Sequence, residues 1–275
     1  MLTRRLVIAA AAALPLAACD LPGPDSTTDG DAPMRITYGS DPSQFGELTM
    51  PTGTSKGVVV VIHGGFWKSA YDLDLGRPLA TSLAEHGWTA WNIEYRRVGD
   101  GGGTPSTFDD VHAAIDKLAD ITDVDTSTTL TLGHSAGGHL AVWAAGRQLQ
   151  TPWRDAKIPV TGALSQAGVL GLRAAHDENL GGGAVEALLG HAPTDADIAY
   201  DPQQQLPLDV PVRCIHGRAD DIVPPSQSLA YVTAATTAGA DASVVEVEGD
   251  HFVVIDPDSE AWVRQLELLN QLAAR

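Results

Sequence analysis

Three residues that lie far apart in the sequence could together perform nucleophilic catalysis. Ser135 is the central residue of the sequence GHSAG, residues 133–137, and Asp220 and His251 each follow a later strand-like run. A serine hydroxyl is a weak nucleophile until a base removes its proton. A histidine can be that base, and an aspartate can hold the imidazole in the required tautomer. The three residues therefore predict attack of a serine on a carbonyl carbon.

The surroundings of Ser135 predict a sharp turn between a strand and a helix. The β-rich run TTLTL, residues 128–132, precedes GHSAG, and a helix-like run, residues 137–148, follows it. In such a turn the serine adopts a strained positive φ, and glycines two residues to either side let the strand and helix approach closely. We therefore expect Ser135 at the N-terminus of a helix.

His251 is the preferred base because it alone among nine histidines follows the last predicted strand. His134 belongs to the turn itself, His139 lies on the following helix, and His216 opens the loop that carries the acid. Four further histidines are interpreted as surface or loop residues: His86, His112, His176 and His191.

Asp220 is the preferred acid, because it stands in the sequence HGRADDIVP, residues 216–224, just after a strand-like run. Asp221 is the close alternative by position. Asp250 is interpreted as a turn residue, although it is adjacent to His251. The preceding strand also contains Cys214, which we expect to pack as a small hydrophobic residue and not to act as a nucleophile.

The sequence HGGFW, residues 63–67, predicts an anion-binding loop. It follows the apolar run VVVVI, residues 58–62, and its glycines allow backbone N–H groups to reach a developing alkoxide. We expect the N–H groups of Gly65, Phe66 and Ala136 to form an oxyanion hole. Trp67 and His134, together with Phe66, are predicted to line the substrate pocket.

Alternating strand-like and helix-like runs predict the α/β class, with a mostly parallel sheet covered by helices on both faces. In such a sheet reactive groups gather beyond the carboxyl ends of the strands, where all the candidates fall. Two short early strands, residues 35–38 and 47–50, are expected to pair antiparallel at one edge. The later strands are predicted at 58–62, 89–95, 128–132, 160–164, 212–215 and 243–247. The helices are predicted near 75–86, 107–119, 137–148, 226–238 and 261–273.

Residues 165–208 interrupt this alternation. They contain a triple glycine, residues 181–183, a short helical piece near 185–189, and a stretch rich in Pro, Asp and Gln. We interpret this segment as a small cap that covers the pocket. The alternative is a surface excursion without contact to substrate.

The N-terminus has the pattern of an export signal. Arg4 and Arg5 precede an apolar run of about thirteen residues, which is too short to span a bilayer. Residues 1–18 are predicted to be a signal peptide, and the sequence LAAC, residues 16–19, resembles a bacterial lipobox with Cys19 as the lipidated residue. The alternative is ordinary signal cleavage with an incidental cysteine. Two export routes, general secretory and twin-arginine, stay open.

The remaining domain boundaries follow from composition. Residues 19–33 predict a lipidated cysteine and a flexible tether, and residues 34–275 predict one catalytic domain. We therefore expect an exported protein, anchored by lipid to the outer face of the cell membrane. The formal net charge of −18 repels nucleic acid and anionic lipid surfaces. The sequence contains no metal-ligand spacing, phosphate-binding loop or dinucleotide fingerprint, so we expect neither a metal nor a cofactor.

From residue 35 to the C-terminus the chain resembles the α/β-hydrolases of the esterase/lipase group. The order Ser135, Asp220, His251 is the order of that fold. HGGFW, EYR at 94–96, PSTFDD at 105–110 and GHSAGG at 133–138 are similar to bacterial feruloyl-esterase-like carboxylesterases and to kynurenine formamidase. The resemblance implies hydrolysis of small carboxylic esters through an acyl-enzyme. An arylformamidase is the alternative, and a catalytically silent binding lipoprotein is a third hypothesis.

Overall fold

The computed structural model describes residues 33–274, and the predicted signal peptide, Cys19 and the tether up to residue 32 lie outside them. Within this range, no helix is long and apolar enough to cross a lipid bilayer. The strands are β1 Met34–Thr37, β2 Phe45–Thr49, β3 Val58–Ile62, β4 Thr89–Ile93, β5 Thr129–His134, β6 Gly162–Gln166, β7 Val212–Gly217 and β8 Ala242–Val247. The helices are α1 Arg77–Glu85, α2 Ser106–Asp116, α3 Ala136–Gly146, α4 Leu172–Asp177, α5 Ala184–Leu189, α6 Ser226–Thr237 and α7 Glu260–Ala273.

The eight strands form one sheet in the order β1-β2-β4-β3-β5-β6-β7-β8. β1 pairs antiparallel with β2, and β2 pairs antiparallel with β4, whereas the pairs from β4 to β8 are parallel. The predicted α/β fold with an antiparallel edge is therefore confirmed. The five apolar residues of β3 are all buried, as expected for a strand covered on both faces.

Two apolar layers cover the sheet, because successive side chains of a strand point to opposite faces. Val58 and Val60 of β3 pack into the layer that contains α2 and α3. Val59 and Val61 pack into the layer that contains α1 and α7. A smaller cluster joins α6 to β7 and buries Cys214, the free cysteine of the described chain. The central strands are thus fixed, and the loops at their carboxyl ends are brought to one edge.

The predicted cap segment, residues 165–208, differs from the expectation at its start. Ser165 and Gln166 belong to β6, because their backbones pair with β5 and β7. The Gln166 side chain is buried and donates from Nε2 to the Val254 carbonyl oxygen over 2.7 Å. The short helical piece predicted near residues 185–189 corresponds to α5.

The rest of that segment packs against the core of the domain. α4 and α5 contribute buried side chains, among them Leu172, Val185 and Leu188, to the same apolar layer as α2 and α3. These helices thus bury their apolar faces in the core, and the role of the segment as a cap over the pocket stays a prediction. Contact with the loop after β3 is made through Gly181, whose carbonyl oxygen accepts from Lys68 Nζ over 2.7 Å.

Candidate active site

Ser135 lies on a sharp turn between β5 and α3. Its φ is +56° and its ψ is −118°, a conformation that side-chain-bearing residues rarely adopt. The surrounding structure enforces this strain: the Ser135 N–H donates to the Gln166 carbonyl oxygen of β6 over 2.8 Å, and a Cβ at Gly137 would collide with the Ile62 carbonyl oxygen. The turn that the glycine spacing predicts is present, and Ser135 directly precedes the first residue of α3.

Asp220 and His251 meet at the ends of the two neighbouring strands β7 and β8. Asp220 Oδ2 accepts from His251 Nδ1 over 2.6 Å, and both side chains are buried. Asp220 Oδ1 accepts the backbone N–H groups of Ile222 and Val223 over 3.0 and 2.9 Å. The carboxylate is thus fixed by its own loop, and its contact with Nδ1 orients the His251 ring, as the acid beside a general base does.

The two aspartates considered beside Asp220 have other environments. The Asp221 side chain is exposed. Asp250 accepts the backbone N–H groups of Phe252 and Val253 over 2.9 and 3.2 Å, so it has the turn role expected from the sequence.

The loop after β3 has left-handed backbone conformations at three consecutive residues. Gly65 has φ +109°, Phe66 +53° and Trp67 +55°. A Cβ at Gly65 would collide with the Tyr71 ring, so glycine is required there for space as well as for conformation. This run of strained residues brings Gly65 and Phe66 to the wall of the cavity described below. The predicted oxyanion hole formed by Gly65, Phe66 and Ala136 stays a prediction.

A buried glutamate anchors the base of this loop. Glu94 Oε1 lies 2.9 Å from His63 Nε2 and accepts the Tyr95 N–H over 2.8 Å. Its Oε2 accepts from the Leu73 N–H and from Arg97 Nη1, both over 3.1 Å. The Tyr95 hydroxyl donates to the His63 carbonyl oxygen over 2.8 Å. A buried charge with this many donors is satisfied, and it ties β4 to both ends of the loop.

Ser135 and His251 line one cavity of about 110 Å³, which we call the serine cavity. The lining side chains are apolar or aromatic apart from the serine, the histidines and a tyrosine, and none carries a fixed charge. The lining residues are Gly65, Phe66, Tyr71, Leu75, His134, Ser135, Ile222, His251, Phe252 and Ile255. Phe252, Tyr71 and Leu75 are exposed in part, so the cavity opens to solvent through an apolar rim.

One of the two predicted pocket residues lines this cavity and the other does not. His134 is part of the wall, and its ring lies 4.4 Å from that of His251. The prediction for Trp67 is wrong: its side chain is 1% exposed and packs edge-on against His139, with ring centroids 5.2 Å apart. The positive φ at Trp67 turns the indole into the core, whereas Phe66 stays at the cavity.

Burial and hydrogen bonds shift the pKa values of three groups in and near the site. Burial raises the pKa of Asp220, but hydrogen bonds from His216 and His251 outweigh that effect, so its pKa lies well below the usual range. Burial, and then the nearby His251, lower the pKa of His134 to about 3, so its imidazole is neutral at neutral pH. His134 Nε2 then donates to the His251 carbonyl oxygen over 2.9 Å. Burial raises the pKa of the Cys214 thiol to about 12.

Five lining residues were not anticipated from the sequence: Tyr71, Leu75, Ile222, Phe252 and Ile255. Ile222, Phe252 and Ile255 follow Asp220 or His251 by a few positions, so proximity in sequence to the acid and base could have indicated them. Tyr71 and Leu75 follow HGGFW, and no motif distinguishes them from core residues. Within residues 33–274, no group of three or more His, Cys, Asp or Glu side chains could hold a metal ion.

The sheet order, the turn at Ser135 and the bonded pair Asp220–His251 define the class of the protein, an α/β-hydrolase. The BD-FAE family model matches residues 47–234, which is more than half of the chain, and the chain therefore belongs to the BD-FAE family. No curated protein matches the sequence.

Solved esterase structures share the fold at low sequence identity. A truncated carbohydrate esterase from gut microbiota superposes with a TM-score of 0.74 at 20% identity, over 88% of this chain and 95% of the other. Esterase B from Lactobacillus rhamnosis gives 0.76 at 22%, over 87% and 84%. The butyrate-bound thermophilic esterase Est2 of Thermogutta terrifontis gives 0.71 at 23%, over 90% and 95%. These similarities establish the α/β-hydrolase fold.

Proposed function

We propose that this chain is a serine hydrolase that cleaves small carboxylic esters through an acyl-enzyme intermediate. The observation that carries the proposal is the serine cavity. Ser135 and His251 line this cavity, and Asp220 accepts a hydrogen bond from Nδ1 of His251. Membership of the BD-FAE family and the esterase fold support the same class of reaction.

The first half of the proposed reaction acylates the serine. His251 Nε2 takes the proton of Ser135 Oγ as this oxygen attacks the ester carbonyl carbon. Asp220 stabilises the imidazolium through the bond to Nδ1. The tetrahedral intermediate collapses when the carbon–oxygen bond to the alcohol breaks and His251 returns the proton to that alcohol.

The second half of the proposed reaction hydrolyses the acyl-enzyme. Water, activated by the same histidine, attacks the acyl carbon, releases the acid and restores the serine.

The proposed oxyanion hole uses backbone groups. The Ala136 N–H belongs to the first residue of α3, directly after the serine, and Gly65 and Phe66 approach from the loop after β3. One such donor is typically worth about 3 kcal/mol in the transition state. The strained conformations at Phe66 and Ser135 support this role, because strain of this kind is retained at sites where function requires it.

The walls of the serine cavity support a small, uncharged substrate group. Its volume of about 110 Å³ is below the roughly 300–1,000 Å³ of pockets that enclose drug-sized ligands. No fixed charge lines it, and the low pKa of His134 keeps that wall neutral. The butyrate bound to the Thermogutta esterase is consistent with a short acyl group.

Three substrates distinguish the proposed activity from its alternatives: p-nitrophenyl acetate, methyl ferulate and N-formylkynurenine. We expect kcat/KM for one of the two esters to exceed that for the formamide, with Ser135→Ala as the inactive control. A hundredfold preference for N-formylkynurenine would instead establish an arylformamidase. Binding without turnover of any of the three would favour a silent binding protein.

We also propose that the chain is exported and anchored to the membrane through lipid on Cys19. The support is the basic and apolar N-terminal run followed by LAAC, residues 16–19. Mass spectrometry of the mature N-terminus and membrane fractionation test this in a bacterial host. We expect a diacylated Cys19 in the membrane fraction and release of Cys19→Ala from it. An unmodified N-terminus in the soluble fraction would contradict the proposal.

A further inference from the structure

His216 is a buried histidine that the proposed reaction does not use directly. It lies near the end of β7, four residues before Asp220, and its side chain has no exposed surface. The chemistry of the site does not require a second imidazole at this position. Two of its three polar contacts, however, are with the loop that carries Asp220.

The partners of His216 fix its tautomer. Nε2 lies 2.8 Å from the Val223 carbonyl oxygen and 3.2 Å from Asp220 Oδ2. Both neighbours are acceptors, so Nε2 carries the proton. Nδ1 lies 2.8 Å from Ser228 Oγ, a fully buried hydroxyl on α6 that can donate to this nitrogen. Ser228 thereby holds the ring with its N–H directed at the acid loop.

The loop after β7 also contacts the second oxygen of the Asp220 carboxylate. The Val223 N–H donates to Asp220 Oδ1, while the Val223 carbonyl oxygen accepts from His216. Asp220 Oδ2 lies between two imidazoles, with His251 at 2.6 Å and His216 at 3.2 Å. Replacement of the His216 ring by an apolar side chain would remove one of these two contacts and the side-chain clamp on Val223.

We propose that His216 is a positioning residue, which holds Asp220 and Val223 so that Oδ2 faces His251, and that Ser228 orients His216. The inference rests on the proposed function, because it assigns a role to Asp220 in that reaction. The reliance of buried acids on outer hydrogen-bond partners is general, and removal of such a partner at metal sites costs about 10- to 100-fold in activity.

The pH dependence of activity provides a readout that a purely structural role would not move. The titratable groups in contact with Asp220 are His216 and His251, and His134 lies against His251 on the other side. The His216 N–H stabilises negative charge on Oδ2. Without it, the carboxylate interacts more strongly with a positively charged His251 ring. The acid limb of kcat/KM then moves to higher pH.

Three variants test the inference. His216→Leu removes both ring nitrogens, His216→Gln keeps an amide donor, and Ser228→Ala removes the orienting hydroxyl. Ser226→Ala, an exposed serine on the same helix, is the control for Ser228→Ala. The measurements are kcat and KM on p-nitrophenyl acetate per fluorophosphonate-titrated site, the pH profile of kcat/KM, and Tm.

For His216→Leu we expect kcat to fall about 10- to 100-fold with little change in KM, and the acid limb to move to higher pH. His216→Gln recovers most of kcat, and Ser228→Ala shows a smaller loss with a shift of the same sign. Wild-type kcat and pH profile in His216→Leu would overturn the inference. So would equal losses in His216→Leu and His216→Gln that follow Tm alone.

If His216→Leu does not fold, Ser228→Ala decides: a kcat and an acid limb equal to those of Ser226→Ala contradict the inference. The wild-type enzyme separates this result from failure of the proposed function. An inactive and unlabelled wild type contradicts the proposed function, whereas an active and labelled wild type with insensitive variants contradicts only the role of His216.

Discussion

The loops after β3 and β7 both reach the serine cavity, but different forces hold them. After β3, three consecutive left-handed residues place the wall of the cavity, and Trp67 is buried as an apolar anchor. Its polar anchor, Glu94, does not line the cavity. After β7, side-chain hydrogen bonds fix the loop instead. Asp220 accepts two backbone N–H groups and contacts two histidines.

The difference indicates which kind of substitution should damage each of the two loops. Strain and packing hold the first loop, so we expect added side-chain volume to displace the backbone groups of the proposed oxyanion hole. Hydrogen bonds hold the second loop, so we expect loss of a single polar atom to misplace the proposed acid and base. The predictions below break one loop at a time.

Asp220→Asn is expected to have the largest effect. The amide keeps the shape of the carboxylate but no longer stabilises the required tautomer and charge of His251, so kcat falls about 10⁴-fold. Steady-state kinetics with a short-chain ester measure the loss. Asp221→Asn is the matched control and should retain activity within about twofold of wild type. A larger loss in Asp221→Asn than in Asp220→Asn would reverse the assignment of the acid.

Trp67→Ala removes the apolar anchor of the loop after β3. Truncation of a fully buried tryptophan typically costs about 3–5 kcal/mol of unfolding free energy, and urea denaturation measures that cost. Phe66→Ala is the neighbouring control. We expect it to lower stability less and to alter KM for esters, because Phe66 lines the cavity. The opposite pattern would restore Trp67 as a pocket residue.

Gly65→Val tests the backbone of the same loop. The new side chain would meet the Tyr71 ring at a φ of +109°, so the N–H groups of the loop must shift and kcat should fall about 10²- to 10³-fold. Gly182→Ala is the control, since Gly182 also has a positive φ, of +65°, but has open space around it. Gly182→Ala should keep kcat at the wild-type value, and wild-type kcat in Gly65→Val would contradict a role for this loop.

His139, which packs against Trp67, should make the free energy of unfolding depend on pH. Burial lowers its pKa from 6.5 to about 4, so between these values the unfolded chain binds a proton that the folded chain does not. Stability therefore falls as pH decreases from 6.5 towards 4, by up to about 3 kcal/mol from this residue. His139→Gln should flatten that part of the profile of unfolding free energy against pH. Parallel profiles for the two proteins would show that His139 does not contribute.

Much of the fold follows from local patterns in the sequence. The apolar run VVVVI, residues 58–62, has the length of a buried strand and corresponds to β3. The spacing of glycines around Ser135 requires a turn that only a few backbone paths satisfy, so the position and strain of that serine could be predicted. Asp220 and His251 could be proposed because each closely follows a recognisable strand.

The rest depends on contacts between distant segments. No local pattern indicates that Trp67 turns inward while Phe66 stays at the cavity, because a positive φ at two non-glycine residues determines it. The clamp by His216 requires β7 and α6 to be packed together, so a lone histidine in the sequence does not reveal it. Likewise, no local pattern shows that the apolar residues of α4 and α5 pack into the same layer as α2 and α3, because tertiary packing determines it.

The most direct test of the account is the reaction of the purified enzyme with a fluorophosphonate probe, followed by peptide mass spectrometry. We predict one adduct per chain on Ser135, loss of ester hydrolysis in proportion to labelling, and no adduct on Ser135→Ala. Ester hydrolysis that persists in fully labelled protein or in Ser135→Ala, or an adduct on another residue, would contradict the central claim that Ser135 is the nucleophile.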